Sequence, residues 1–264
     1  MRPPNRKKWI FVCLLALAAL SLPFWRSAAT HWAAVHMRNA LSSYRVRSIR
    51  VLGTQQLDRQ EIVAISGIRE GTPLFEINPK SVAERILAHP WIRSATVVRR
   101  LPDMIELRIE EQRPAALIPA EKMWAVTADR ILLPMEKSKW RWDLPLLRTG
   151  NLRSFSPGAR LEDAQTCALL AQSVICQRYA PRAWHEVSEL FWSEGEMWAI
   201  LQKNRIRLRL GTGTEEIGWK SLERLLTKLD PPNRAANVAS LDLRFVGRIV
   251  VEYANTMPDS SGHG

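Results

Sequence analysis

A run without charge, WIFVCLLALAALSLPFW from Trp9 to Trp25, follows a short basic start, and beyond it the apolar positions recur with periods of two or of three to four. In YRVRSIRVLG, Val46, Ile49 and Val51 are apolar and Gly53 ends the run, which predicts a strand. LDRQEIVAISG carries Asp58 as an N-cap, Glu61 three residues on, Ile62 and Ile65 on one face and Gly67 at the C-cap position, so a short helix is expected. NPKSVAERILAHP predicts a second, capped by Asn78, with Pro79 at the first helical position, Val82 and Ile86 one turn apart, and Pro90 as a stop. WIRSATVVRRLPDMIELRIEE reads as two strands around Leu101-Pro102-Asp103, with Ile105, Leu107 and Ile109 alternating with Glu106, Arg108 and Glu110. The order strand, helix, helix, strand, strand makes residues 44–112 one compact unit.

From residue 113 to Tyr253 strands dominate, with two helices inserted. LEDAQTCALLAQSVICQRY reads as one helix ending before Pro181. SELFWSEGEMWAILQ and NRIRLRLG predict a meander with turns at 193–196 and 202–204. WKSLERLLTKLDPP predicts a helix with Trp219, Leu222, Leu226 and Leu229 inside, stopped at Asp230-Pro231-Pro232. The final stretch, LDLRFVGRIVVEY, reads as one long strand: Leu241, Leu243, Phe245, Ile249, Val251 and Tyr253 are apolar around Gly247, and Asp242, Arg244, Arg248 and Glu252 alternate with them. A terminal strand can lie at a sheet edge. Residues 254–264 are too polar to pack and are expected to be disordered. The class is therefore α+β, with a mixed, mainly antiparallel second domain over 113–253.

Charge changes the picture at the amino-terminal end. A formal charge of +12, from 38 Lys and Arg against 26 Asp and Glu, raises nucleic acid or an anionic membrane surface as partners. Four of the positives, Arg2, Arg6, Lys7 and Lys8, crowd the tail 1–8, directly before the apolar run. Seventeen helical residues reach about 26 Å, enough for a thin bilayer core. Two readings follow: an uncleaved anchor over 9–25 with a cytoplasmic tail and a connector over 26–43, or a secretory signal cleaved near Ser27-Ala28-Ala29. Both export the rest of the chain, where nucleic acid is a poor candidate. Trp9, Trp25 and Trp32 fit interface anchors, while Trp198 and Trp219 fit a core.

The search for chemistry finds little. There is no G-x-S-x-G, H-E-x-x-H, Walker loop or G-x-G-x-x-G, and Gly211-Thr212-Gly213 reads as a turn. Cys167 and Cys176 lie about half a turn out of phase in one helix and cannot bridge each other, and no Cys/His spacing suits a metal. His185-Glu186 has no nucleophile placed with it. Glu194 and Glu196, like Glu215 and Glu216, read as solvated turn residues. Arg205, Arg207 and Arg209 line one strand face, either as a phosphate or carboxylate binder or as a solvated face neutralised by cross-strand acids.

The order of elements in 44–112, with Gly71-Thr72-Pro73-Leu74, Pro90-Trp91-Ile92, Arg100-Leu101-Pro102 and Glu111-Gln112-Arg113-Pro114-Ala115 as links, resembles a POTRA domain of the bacterial FtsQ/DivIB division family. MWAILQKNRIRLRLG and SLDLRF extend the resemblance over the second domain. The resemblance implies a noncatalytic scaffold without cofactor, metal or small-molecule substrate. It would be anchored once in the inner membrane at the division septum, with both domains periplasmic. It implies FtsB and FtsL as partners, other division proteins at the POTRA domain, and strand addition at the last strands, through Arg244, Phe245, Gly247, Arg248, Ile249, Val250 and Val251. Arg244 would meet an acidic residue of FtsB. Phe245 stands where the family commonly has Tyr, and its parity with Leu243 leaves both a core and an interface role open. A POTRA-bearing outer-membrane assembly component would need repeated POTRA units or a long barrel region, and a secreted enzyme would need a constellation not found here.

Overall fold

The computed structural model describes residues 43–135, 142–150, 154–203, 205–211, 216–229 and 238–253. The expected span, most of the connector, Cys13, Trp9, Trp25, Trp32, the 230–232 stop and the tail 254–264 lie outside the described residues. The chain divides into two compact units. One holds the described residues up to Gly53, Arg59–Ile86 and Ala95–Ile109; the other holds Thr54–Asp58, Leu87–Ser94 and the described residues from Glu110 on.

Within residues 44–112, β1 (Ser48–Leu52), α1 (Arg59–Ser66), α2 (Pro79–Leu87), β2 (Ile92–Arg100) and β3 (Met104–Glu111) follow the expected order, all but Leu87, Ile92–Ser94 and the last two residues of β3 falling in the first unit. They give a three-stranded sheet β1-β3-β2, with β1 parallel to β3 and Ile49 opposite Ile105. Local signals place both helices. Gly67 takes φ +68° after α1, and the Asn78 side chain accepts the Lys80 N–H (3.0 Å) at the start of α2. Ile62, Val82, Ile86, Ile105 and Leu107 close the core, each at most 1% exposed. Glycine is required at residue 53, where φ is +90° and a Cβ would stand 2.0 Å from the Ile109 carbonyl oxygen.

One expected alternation fails. Glu106 is buried, not solvated, because Arg108 (Nε to Oε1, 2.8 Å) and Arg100 (Nη2 to Oε1, 3.4 Å) close over its carboxylate. Burial raises its pKa, and the hydrogen bonds and charges of the two guanidiniums outweigh that and hold it below the ordinary value.

The second unit is a nine-stranded sheet with three helices. Its elements are β4 (Pro114–Pro119), β5 (Met123–Thr127), β6 (Leu132–Pro134), β7 (Leu146–Arg148), α3 (Ala164–Tyr179), α4 (Pro181–Glu186), β8 (Val187–Ser193), β9 (Glu196–Leu201), β10 (Arg207–Leu210), α5 (Glu216–Leu229), β11 (Val238–Asp242) and β12 (Val250–Tyr253). The strand order is β12-β11-β10-β9-β8-β7-β4-β5-β6, parallel at β11/β10, β8/β7 and β7/β4 and antiparallel elsewhere. Asp163 caps α3 by accepting the Thr166 N–H (2.8 Å), and Thr166, Leu169, Leu170, Ser173 and Cys176 then recur on its buried face. Trp219 of α5 is fully buried, its indole N–H donating to Gln172 Oε1 (2.9 Å).

The hairpin β8–β9 turns at Glu194 and Gly195, both at positive φ, as a two-residue loop between right-twisted strands requires. The short helix α4 adds to the two expected helices; its six residues are too few to show a helical period in the sequence. Trp198 is half-buried under the Arg209 guanidinium (5.5 Å), not in the core.

Candidate functional site

The stretch expected as one strand from Leu241 to Tyr253 is two. β11 ends at Asp242, whose Oδ1 accepts the Arg244 backbone N–H (3.0 Å) and so turns the chain out of the ladder. Gly247, at φ +71°, returns it, with the Arg248 N–H donating to the Phe245 carbonyl (3.2 Å). β12 then runs antiparallel to β11, with Leu241 opposite Val251 and Asp242 opposite Val250, as the outermost strand of the sheet. Of the expected binding residues, Val250 and Val251 lie on β12. Arg244, Phe245, Gly247, Arg248 and Ile249 lie in the connecting loop.

The register fixes which backbone groups of β12 are free. The Leu243 N–H donates to the Arg209 carbonyl (2.9 Å), so Leu241 and Leu243 turn their polar groups toward β10. Asp242 and Ser240 must then turn theirs toward β12, where they face Val250 and Glu252 as hydrogen-bonded pairs. Val251 and Tyr253 therefore direct N–H and C=O away from the sheet, and among the described residues nothing pairs with them.

The opposite edge is different. The Leu132 N–H of β6 donates to the Ala159 carbonyl (2.9 Å), and its carbonyl accepts the Gly158 N–H (2.8 Å). Pro134 has no N–H, and its carbonyl accepts the Trp91 indole N–H (2.9 Å). β6 is closed and β12 is open.

Apolar surface accompanies the open edge. Val246, Tyr253, Phe245 and Val250 are 79%, 68%, 49% and 47% exposed, which settles Phe245 as a surface residue. Beside them four charges cross three strands. Arg244 donates Nε and Nη2 to Asp242 (3.0 and 2.7 Å) and Nη1 to Glu196 Oε1 (2.8 Å), and Arg209 grips Glu196 through Nε and Nη2 (2.6 and 2.7 Å). Burial raises the Asp242 pKa, but hydrogen bonds from Arg244 and the charges of Arg244 and Arg209 bring it below the ordinary aspartate value. The Arg244 guanidinium is pushed up, chiefly by its bonds to Asp242.

A POTRA domain of the FtsQ type matches residues 44–112. Curated proteins named "Cell division protein FtsQ" match most of the chain. The one from Geotalea daltonii is 35% identical over 79% of this chain and 76% of its own length, and the one from an Anaeromyxobacter species is 30% identical over 88% and 76%. The one from Rhodothermus marinus is 25% identical over 99% of this chain and 96% of its own. The chain belongs to the FtsQ family of cell division proteins.

Within this FtsQ-family chain, sequence reasoning missed the acidic half of the charge cluster. Its turn-like context makes Glu196 look solvated, but it opens β9 and joins Arg209 to Arg244; the cross-strand register Arg209 to Trp198 puts it within reach. Arg209 thus has an acidic partner on the neighbouring strand, while Arg205 and Arg207 are exposed. His185 is exposed on α4. Burial, with the Glu223 charge second, pushes the Cys176 thiol far up, so it stays protonated. Among the described residues no group of three or more His, Cys, Asp or Glu could hold a metal, and no helix is long and apolar enough to cross a membrane.

Proposed function

We propose that this chain is a noncatalytic scaffold of the division septum, anchored once in the inner membrane by residues 9–25. Its amino-terminal tail is cytoplasmic, its POTRA domain meets other division proteins, and its β12 edge binds the periplasmic segments of FtsB and FtsL. An extended segment adds beside β12, exchanging main-chain bonds with Val251 and Tyr253, while its side chains meet Phe245, Val246 and Val250. Arg244 is already held by Asp242 and Glu196, so an acidic residue of the partner has to share it or displace one of them.

The observation that supports this reading is the unpaired, apolar-flanked edge of β12 on a sheet whose other edge is closed. Binding of the full chain in detergent to the FtsB–FtsL pair tests it, with the native sequence and Val251→Pro. Proline at 251 removes an outward N–H; at 250 it would remove one that the sheet itself uses. The expected result is a native complex and at least a tenfold weaker one for Val251→Pro with an unchanged circular dichroism spectrum. Equal affinity of the two would refute strand addition at this edge.

A further inference from the structure

We propose that one end of the POTRA unit, carried by Tyr44, Arg45, Phe75, Arg99 and the β2–β3 tip at Leu101, rests on an anionic lipid surface; this rests on the anchor reading above. The hydrogen bonds gather three separate segments at that end. The N–H groups of Arg47 and Ser48 donate to the Asp103 carbonyl (2.8 and 3.3 Å), setting the β2–β3 tip beside the start of β1. The Leu74 N–H donates to the Tyr44 carbonyl (2.8 Å) and the Gly71 N–H to the Val46 carbonyl (2.7 Å), setting the 71–75 loop on its other side.

What these segments present is apolar and cationic together. Leu101, at the tip, is 64% exposed, although nothing in a β-turn requires a leucine. Tyr44 and Phe75 stack edge to face (5.9 Å), and the Arg99 guanidinium lies over the Phe75 ring (6.0 Å). Arg45 and Arg99 donate to the neutral carbonyls of Gly71 (2.8 Å) and Ile77 (2.6 Å), which leave their charge uncancelled, and the solvent-exposed Arg47 makes a long ion pair with Asp103 (3.8 Å). Across residues 44–47, 69–77 and 99–103, five arginines stand against three carboxylates, and with Arg100 paired to Glu106 of β3 four arginines face those three. Aromatic rings with a polar fringe suit the headgroup level of a bilayer, and arginines reach from an apolar stem to lipid phosphates.

The path of the chain selects lipid over a soluble partner. Residue 44 opens the unit at this same end, and the eighteen residues 26–43 separate it from the apolar run. That length reaches about 27 Å as a helix and about 60 Å fully extended. A tether so short keeps this end at a high effective concentration beside the bilayer, so individually weak contacts are populated.

Photo-crosslinking of the full chain in phosphatidylethanolamine–phosphatidylglycerol vesicles tests the proposal. Benzoylphenylalanine is placed at Leu101 and, as a reference, at Leu52, which is 43% exposed at the other end of β1. Lipid adducts at 101 are expected at several times the yield at 52. They should fall by at least half in purely zwitterionic vesicles and in an Arg45→Glu, Arg47→Glu variant that keeps its circular dichroism spectrum. Equal yields at the two positions, or adducts at 101 to protein alone, would overturn the proposal while a carbonate-resistant vesicle pellet keeps the anchor reading intact. Loss of the chain from that pellet would remove both.

Discussion

Prolines at 250 and 251 differ in one consequence, and that difference tests the ladder phase of β12. Both fix φ near −65° and both replace a valine, but Val251 packs part-buried against the core while Val250 is exposed, so each proline is compared with alanine at the same position to cancel the side-chain loss. Val250 faces Asp242 as a hydrogen-bonded pair, so proline there deletes a ladder bond and leaves the Asp242 carbonyl without its donor. A buried carbonyl so abandoned costs about 1–3 kcal/mol. Val250 is 47% exposed and water can reach the gap, which places the expected cost at the lower end, about 1 kcal/mol. For a unit of this size that is about 2–4 °C in Tm by differential scanning fluorimetry. Val251→Pro deletes an N–H that bonds nothing in the sheet, so its Tm relative to Val251→Ala should exceed that of Val250→Pro relative to Val250→Ala by that margin. Amide exchange of the native chain gives a second reading: Val250 and Glu252 should be protected, and Val251 and Tyr253 should exchange at least about tenfold faster, the equivalent of about 1.4 kcal/mol. Protection of Val251 with rapid exchange at Val250, or a smaller proline-minus-alanine loss at 250 than at 251, would refute the assigned phase.

Two further outcomes follow from local geometry. Gly53→Ala should be far more costly than Gly71→Ala: each forces a side chain into positive φ, worth about 1–3 kcal/mol, but only at 53 does the new Cβ meet a backbone oxygen, while none lies within 4 Å at 71; equal losses in urea titration would refute the steric account. Stability should be level from neutral pH to about pH 5 and fall below about pH 4. The Asp163 pKa is lowered by the Thr166 hydroxyl and N–H against burial, and the Asp242 pKa by Arg244 and Arg209 against burial. A carboxyl depressed in the folded state contributes stability above its unfolded pKa, about 3.9, and loses it as pH falls through the folded value. Carboxyl-carbon NMR titration of both residues below the ordinary value checks the assignment; midpoints at or above it would refute it.

The first unit was legible because its signals are local. Asn78, Pro79, Gly67 and the alternation of Ile105, Leu107 and Ile109 each act within one turn or one strand. Glu106 broke the alternation because two arginines, one from the neighbouring strand, made burial of a carboxylate tolerable, and strand pairing is not written in a period of two. The same limit hid β7, three residues long, whose partners β4 and β8 lie far along the chain, while β4 to β6 are short neighbouring strands with little alternation to read. It also hid the break between β11 and β12: an apolar alternation passes through Phe245 and Ile249 unchanged, while the turn depends on the Asp242 side chain and on a glycine that reads equally well as a pause in a strand. The terminal position was legible as an edge; the free donors were not, since they depend on the parallel pairing of β10 with β11.

The closed β6 edge limits valency. A sheet open at both ends can extend by end-to-end addition, each arriving strand offering a fresh template, and exposed edges make this a route to fibres. Here Leu132 is bonded to residues 158 and 159, and Pro134 has no donor to offer. Copies of the chain could therefore meet through β12 at most in pairs, and a strand from another protein occupying β12 would end growth altogether. The sheet is built to take one guest, which keeps any assembly made at this edge countable.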